Sequence, residues 1–350
     1  MVGLAVAVTP LLCICIPTHD GRAAALAVAL DSVLEQLTAD DGEVEIEIVV
    51  CDNASQDATA DIVGDRRARH PNVVSYHRND TNIGFAHNII RAAQLAGGRF
   101  CWLLGSDDAL APGGLDRVLA TLRAHPQLTG LSVNRRNLDA RLAQPALPDT
   151  TALLGAHLRT AARSYNALHP AIGDLGLYLT YISGQIVDRE HYLATAATAP
   201  PSVVDPGYFM HLYIFTRMLV ERPLWRWEPQ AIVHNRTAND ALVELLDGQV
   251  ARYQVETLRD RAIVWEAALG RDSEHFVLLM RRSRAEYASP RSVLGFKLGR
   301  LHTWREDRLL LRTFGRYYGH DPRFWLLSLP ALLAPHQAAK AIHRMFVSRR

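Results

Sequence analysis

Lysine is all but missing from this chain. Of its 38 basic residues only Lys297 and Lys340 are lysines, a bias that fits the nucleotide composition of a genome better than any particular chemistry. Long apolar runs are missing too. No uninterrupted stretch reaches the roughly 18 residues a helix needs to span a bilayer, so no segment is expected to cross a membrane. Met1 to Pro10 has no basic residue and leads straight into a strand-like run, which argues against a secretory signal. The four cysteines, Cys13, Cys15, Cys51 and Cys101, include no C-x-x-C pair, and each lies inside an apolar run. Buried, reduced thiols acting as small hydrophobes are the expectation, as in a cytosolic chain. Glycine-rich phosphate loops are absent as well. Where a dinucleotide oxidoreductase would carry G-x-G-x-x-G after its first strand, Pro17-Thr18-His19-Asp20-Gly21 stands instead, and no G-x-x-x-x-G-K-[ST] occurs.

The 350 residues, 49% apolar and 21% charged, describe a folded protein with room for one large domain or a core domain with an appendage. Net charge is only +2, but it is unevenly spread. After position 250 there are 19 Lys+Arg against 9 Asp+Glu, leaving 19 against 27 before it. A basic tail on an acidic body calls for an anionic surface as partner, membrane or nucleic acid.

The pattern along the chain alternates. Leu11–Ile16 reads as a first strand, followed by helix-spaced apolar residues from Ala23 to Leu37. Val44–Cys51 is a second strand, residues 57–69 a helix, Asn72–Tyr76 a third strand, and Ala86–Leu95 another helix. Arg99-Phe100-Cys101-Trp102-Leu103-Leu104 is the fourth strand, and it stops at Gly105-Ser106-Asp107-Asp108. This βαβαβαβ order predicts a doubly wound, mostly parallel α/β sheet flanked by helices. In such sheets ligands sit outside the carboxyl ends of the strands. Asp107 and Asp108 therefore stand at the ligand edge. Two adjacent carboxylates repel unless a cation lies beside them, and hard oxygens suit Mg²⁺ or Mn²⁺. The bland alternative is an Asp-rich turn that caps the next helix.

Four segments at strand exits carry a resemblance: Ile16-Pro17-Thr18-His19-Asp20, Val50-Cys51-Asp52-Asn53-Ala54-Ser55-Gln56-Asp57, Asn82-Ile83-Gly84-Phe85 with Asn88, and Gly105-Ser106-Asp107-Asp108-Ala109-Leu110. In this order they resemble the family 2 glycosyltransferases of GT-A fold, and within them the abequosyltransferase branch that builds O-antigen. The resemblance covers roughly residues 11–245. It implies a Rossmann-like nucleotide-sugar-binding and catalytic domain over 1–245 and a helical, basic C-terminal region over 246–350. Asp52 would accept the imide or amino hydrogen of a pyrimidine base, with Pro17 and Thr18 lining base and ribose. Asp20 and His19 depart from the family's usual aromatic-Asn. Asn82 and Asn88 would contact diphosphate or ribose, Ser106 stands in the first position of the family's D-x-D, and Asp107 would meet ribose or a metal-bound water. Asp108, with Asp107, would hold the metal. Further on, the family places its general base at the start of a helix, where this chain offers His211 and Asp205; an imidazole of near-neutral pKa suits that task. Arg236, in His234-Asn235-Arg236-Thr237-Ala238-Asn239-Asp240, would pair with the leaving diphosphate through its planar fork. His234 is a further metal-ligand candidate.

The resemblance implies a metal-dependent inverting glycosyltransferase that moves a sugar from a nucleoside-diphosphate sugar to a hydroxyl of a lipid-linked surface polysaccharide. Two alternatives stand beside it. A non-catalytic nucleotide-sugar-binding protein would keep the donor motifs without a working base. A sugar nucleotidyltransferase would need a Gly-rich loop with Arg or Lys after the first strand, which Pro17-Thr18-His19-Asp20 does not supply. From about 241 the chain reads as helical to its last residues, including Ala241–Leu246, Val250–Leu269 and Phe276–Tyr287. The apolar run Phe324–Ala334 is too short and Pro-interrupted to span; the basic amphipathic segment with Trp325 and Phe346 reads either as one for a membrane interface or, in the bland alternative, as part of a helical bundle packed on the catalytic domain with its charges solvated. A cytoplasmic location, peripheral on the inner face of the cell membrane, is the expectation. Sparse aromatic spacing in the tail argues against nucleic acid as partner.

Overall fold

The computed structural model describes residues 9–37, 45–145, 154, 156–204, 209–237, 250–298 and 304–347. Strand β1 (Leu12–Thr18) is followed by α1 (Ala23–Leu34), β2 (Ile46–Asp52), α2 (Thr59–Arg69), β3 (Val74–Arg78), α3 (Phe85–Leu95) and β4 (Phe100–Leu103). Then come β5 (Ala109–Leu110), α4 (Gly114–Ala124), β6 (Gly130–Leu138), β7 (Arg163–Tyr165), α5 (Leu168–Leu175), β8 (Gln185–Asp188), α6 (Arg189–Ala196), α7 (Pro201–Val204), α8 (Met210–Glu221) and β9 (Trp225–Arg236).

The strands form one nine-stranded sheet in the order β3-β2-β1-β4-β8-β6-β9-β5, with β7 on β9. β3, β2, β1 and β4 run parallel, as the alternation predicts. Beyond β4 the sheet is mixed: β8 is antiparallel to β4 and β6, and β5 and β7 are antiparallel to β9.

Sheet residues sort by parity, because successive side chains of a strand face opposite sides. Leu12, Ile14 and Ile16 of β1, Ile48 and Val50 of β2, and Phe100 and Trp102 of β4 pack with Leu26, Leu30, Val63, Leu115 and Leu119 of α1, α2 and α4. Cys13, Cys15, Cys51, Cys101 and Leu103 face the other side, with Ala92 and Ala93 of α3 and the helices that follow. All four cysteines are free and buried.

The run Tyr178–Val187, which alternates like a strand, is a strand only from Gln185. Its first part forms two 3-10 turns, Tyr178–Thr180 and Ile182–Gly184. The cause is local. Tyr178 donates its hydroxyl to the Val133 carbonyl at 2.7 Å, and Gly184 lets the Tyr178 and Tyr181 rings fold over it, since a Cβ there would lie 2.9–3.0 Å from them.

Helices α9 (Val250–Leu269), α10 (Glu274–Tyr287), α11 (Pro290–Leu298), α12 (Trp304–Tyr318), α13 (Leu329–Leu333) and α14 (His336–Val347) complete the described chain. They do not stand apart. Leu258, Ala262 and Trp265 of α9 and Leu279 and Met280 of α10 share one core with Cys13, Cys15 and Phe215. The expected boundary at 245/246 and the expected helix Ala241–Leu246 lie outside the described residues. Among the described residues no helix is long and apolar enough to cross a membrane.

Candidate active site

The site edge lies at the carboxyl ends of β2, β1 and β4. Thr18 is in register with Asp52 across the β1–β2 pair, and the loop carrying Asp107 and Asp108 leaves β4 on the other flank of β1. The Asp52 and Asp107 loops are thus about two strand spacings, roughly 10 Å, apart.

Asp52 is fully buried. Its Oδ1 accepts from the Ser55 amide at 3.0 Å and the Ser55 hydroxyl at 2.5 Å, and its Oδ2 accepts from Tyr76 at 2.7 Å. Arg78 Nε stands 3.5 Å from Oδ2. Burial, then the hydrogen bond to Asp52, pushes the Tyr76 phenol well above its ordinary value. A buried carboxylate costs several kcal/mol unless it is paired, and these contacts supply the pairing. Tyr76 and Arg78 lie at the end of β3, and the sequence reading did not single them out.

The neighbouring loops are stapled by amides. Asn88, buried, donates to the carbonyls of Cys51 at 3.0 Å and Thr18 at 3.3 Å and accepts from Asn79 at 2.9 Å. Asn82 accepts from Asn53 at 2.7 Å and from the Gly84 amide at 2.9 Å. Gly84 has φ +82°, open to glycine without strain, and it starts α3. Asp20 accepts from the amides of Gln56 and Asp57 at 2.8 and 3.1 Å, while Asp57 accepts from the Gly21 amide at 2.8 Å. Asn88, Asn82 and Asp20 therefore hold the loops after β1, β2 and β3 against one another. Pro17 and Thr18 end β1, both buried, and the Thr18 hydroxyl has no partner.

Asp107 and Asp108 differ sharply. Asp107 is partly exposed and pairs with Arg22, at the start of α1, at 2.9 Å. Asp108 is buried, as is Ser106. Asp108 accepts from the Tyr181 hydroxyl at 2.8 Å and the Arg236 amide at 3.1 Å. Burial, then the charge of Asp107, raises its carboxyl to about 6, against the hydrogen bonds of Ser183, Tyr181 and the Arg236 amide. Ser183 also accepts from the Gly105 amide at 2.9 Å. Tyr181 and Ser183 come from the stretch of two 3-10 turns that precedes β8, where strand-like alternation does not report which side chains face the site.

β9 brings in Arg236. β5 pairs with β9 through Ala109–His234 and Leu110–Val233, which sets the end of β9 against the Asp107–Asp108 loop. Arg236 Nε donates to the Asp107 carbonyl at 2.9 Å, Nη1 donates to the Ala140 carbonyl, and Nη2 is buried without a partner. The guanidinium thus holds the carboxylate loop through its backbone. His234, half-buried, is pushed below its ordinary value by burial and then by Arg136. Arg135 of β6 lies 3.8 Å over the Tyr181 ring, with Nε buried and unpartnered.

His211, in the first turn of α8, is buried among Phe85, Phe209 and Phe215, whose ring centroids lie 5.9–6.1 Å away. Its Nε2 donates to the Thr180 carbonyl at 3.1 Å, and Nδ1 has no partner. Burial lowers it to about 4, with Arg261 of α9 adding to the effect. The ring is neutral near pH 7. Asp205 lies outside the described residues.

The donor set fits a divalent cation: a buried carboxylate raised by a neighbouring carboxylate is relieved by a positive ion beside it, and both groups offer hard oxygens.

Comparison with known proteins bears on the family and the fold. The family Glycosyl transferase family 2 matches residues 13–185. Abequosyltransferase RfbV of Salmonella typhimurium is 37% identical over 105 residues, 30% of this chain and 30% of that protein. The chain spans less than a third of the length of the curated relatives it matches. Among solved structures, S. aureus TarS 1-349 in complex with UDP-GlcNAc superposes with a TM-score of 0.63 at 14% identity, covering 97% of this chain and 92% of that one. The mannosyltransferase PcManGT from Pyrobaculum calidifontis, in complex with GDP-Man and Mn2+, gives 0.56 at 16% identity over 97% and 80% of the two chains. The fold is that of the GT-A glycosyltransferases.

Proposed function

Taking as premise that this chain belongs, over residues 13–185, to the family 2 glycosyltransferases, we propose that it transfers a sugar from a nucleoside-diphosphate sugar to a saccharide hydroxyl with inversion at the anomeric carbon. The acceptor in this reading is a lipid-linked surface polysaccharide, which the likeness to an abequosyltransferase supports, and the basic C-terminal region meets the membrane that carries it. The observation that carries the reading is Asp108. It is a buried carboxylate raised to about 6, beside Asp107, at the loop edge shared with Asp52.

Asp52 and Thr18 receive the base and ribose, with Tyr76 and Arg78 holding the carboxylate in place. Asp108 and Asp107 would hold Mg²⁺ or Mn²⁺, which on binding supplies charge neutralisation for the leaving diphosphate. Arg236 keeps the Asp107–Asp108 loop in position through the Asp107 carbonyl. The acceptor oxygen forms its bond to the anomeric carbon as the bond from that carbon to the phosphate oxygen breaks. The hydroxyl proton passes to a base, and we assign that role to Asp205 ahead of His211. The imidazole is enclosed by aromatic rings and lowered to about 4, so it is a poor proton acceptor near neutrality.

A thermal-shift panel of UDP-, CDP-, GDP- and dTDP-sugars with Mn²⁺, followed by transfer assays, tests the reading, because a ligand that binds the native state raises apparent stability. One donor class is expected to stabilise the protein and to be consumed, with loss of turnover in Asp205→Asn. Stabilisation without turnover by any donor would favour a binding protein. No stabilisation by any donor would overturn both.

A further inference from the structure

Three large apolar residues stand exposed in a row. Trp325, Leu326 and Leu327 are 50%, 73% and 52% exposed. The backbone causes this. Phe324–Ser328 is a π-helical turn in which the Leu329 amide donates to the Phe324 carbonyl, and the wider turn fits three residues between two anchors. Phe324 is buried without residual exposure, and Ser328, also buried, donates to the Ala288 carbonyl. The intervening side chains face outward. Trp325 is held in that position, because its indole N–H donates to the Gly319 carbonyl at 2.7 Å. Leu333 of α13, next in the chain, is 65% exposed, and Ile342 of α14 adds a further exposed aliphatic. The turn, α13 and α14 all pack on α11.

The charge of the segment that carries this patch has one sign in the sequence. From Pro322 to the last residue there is no Asp or Glu, against Arg323, Lys340, Arg344, Arg349 and Arg350. Arg323 and Lys340 are exposed. A fixed tryptophan with neighbouring leucines in a segment whose exposed charges, Arg323 and Lys340, are basic matches a bilayer interface, where the indole sits at headgroup level, leucines enter the acyl boundary and cations meet anionic headgroups. A second copy fits less well, since pairing two such faces would bring two wholly basic segments together.

We propose that the π-helical turn Phe324–Ser328, with Leu333 and the exposed Arg323 and Lys340, is the element by which this protein docks on an anionic lipid surface. This deepens the membrane contact proposed above and rests on it only for purpose. Docking is a property of the patch and is measurable without any sugar donor.

The test is flotation of the full chain with phosphatidylcholine vesicles, with and without phosphatidylglycerol. Wild type is expected to float with the anionic vesicles and to be released by salt. Leu326→Asp with Leu327→Asp, and separately Arg323→Glu with Lys340→Glu, are each expected to weaken this roughly tenfold or more. All four side chains are exposed, so circular dichroism and melting temperature should stay unchanged. Transfer to a water-soluble acceptor should also be unaffected, which separates failure of docking from failure of the transferase reading. Absence of binding to anionic vesicles, or binding indifferent to both variants, overturns the proposal. A wild-type dimer in light scattering that Leu326→Asp with Leu327→Asp dissociates, with no vesicle binding, would instead assign the patch to a second copy.

Discussion

Tyr181 donates its hydroxyl to Asp108 at 2.8 Å, and the same ring carries the Arg135 guanidinium on its face at 3.8 Å. A buried carboxylate is thus fixed by a side chain that is itself held by a cation. Groups that orient a metal-binding carboxylate typically change metal affinity ten- to a hundredfold when removed. In Tyr181→Phe the Mn²⁺ concentration for half-maximal transfer is expected to rise about tenfold, with turnover at saturating metal nearly kept. A titration of activity against Mn²⁺ decides it, and an unchanged midpoint would remove Tyr181 from the proposed metal-binding arrangement.

Asp108→Asn removes the charge that the buried site is arranged to hold. Thermal stabilisation by Mn²⁺ together with donor is expected to disappear, while the metal-free variant melts no lower than wild type, since a buried carboxylate raised to about 6 is costly when ionised. Melting curves with and without Mn²⁺ check both parts.

His211 gives a pH dependence of stability. Its folded value, about 4, lies below the ordinary 6.5, so on acidification the unfolded chain takes up the proton first. Its contribution is present in full above about pH 6.5 and is lost as pH falls toward 4, on the order of 3 kcal/mol in all. Urea titrations of wild type and His211→Gln between pH 7 and pH 4.5 are expected to converge as pH falls. A constant gap across that range would contradict the buried neutral imidazole. The same comparison reads the catalytic assignment: with Asp205 as base, His211→Gln should keep the shape of the pH–rate profile.

Gly130 opens β6 directly against Trp225, and a Cβ there would meet the indole at 2.4 Å. Trp225 is fully buried and donates to Ser132 at 2.8 Å, so the ring has nowhere to move. Gly130→Ala is expected to cost about 1–3 kcal/mol as overpacking, read as a lower urea midpoint with an unchanged slope.

Local physics in the sequence determined the parallel half of the sheet. Apolar runs of strand length alternate with helix-spaced segments, and four of them end in polar residues at the ligand edge. The placement of Asp52, Asp107 and Asp108 at strand exits was legible for that reason. For Arg236 the sequence suggests a diphosphate partner; the bonds of its guanidinium to the Asp107 and Ala140 carbonyls were not legible. What tertiary structure alone decided is which polar groups surround these carboxylates. Tyr76, Arg78, Arg22, Tyr181, Ser183 and Arg135 come from segments 24 to 85 residues away from the carboxylates they serve, and no short period reports such contacts. From sequence, Asn88 and Asp20 fit a ligand as readily as a neighbouring backbone; packing sets Asn88 on the Cys51 and Thr18 carbonyls and Asp20 on the Gln56 and Asp57 amides. The reversal of β8 and the aromatic enclosure of His211 have the same origin: both depend on what lies opposite in space, and burial there changes the energy of a group more than its neighbours in sequence do.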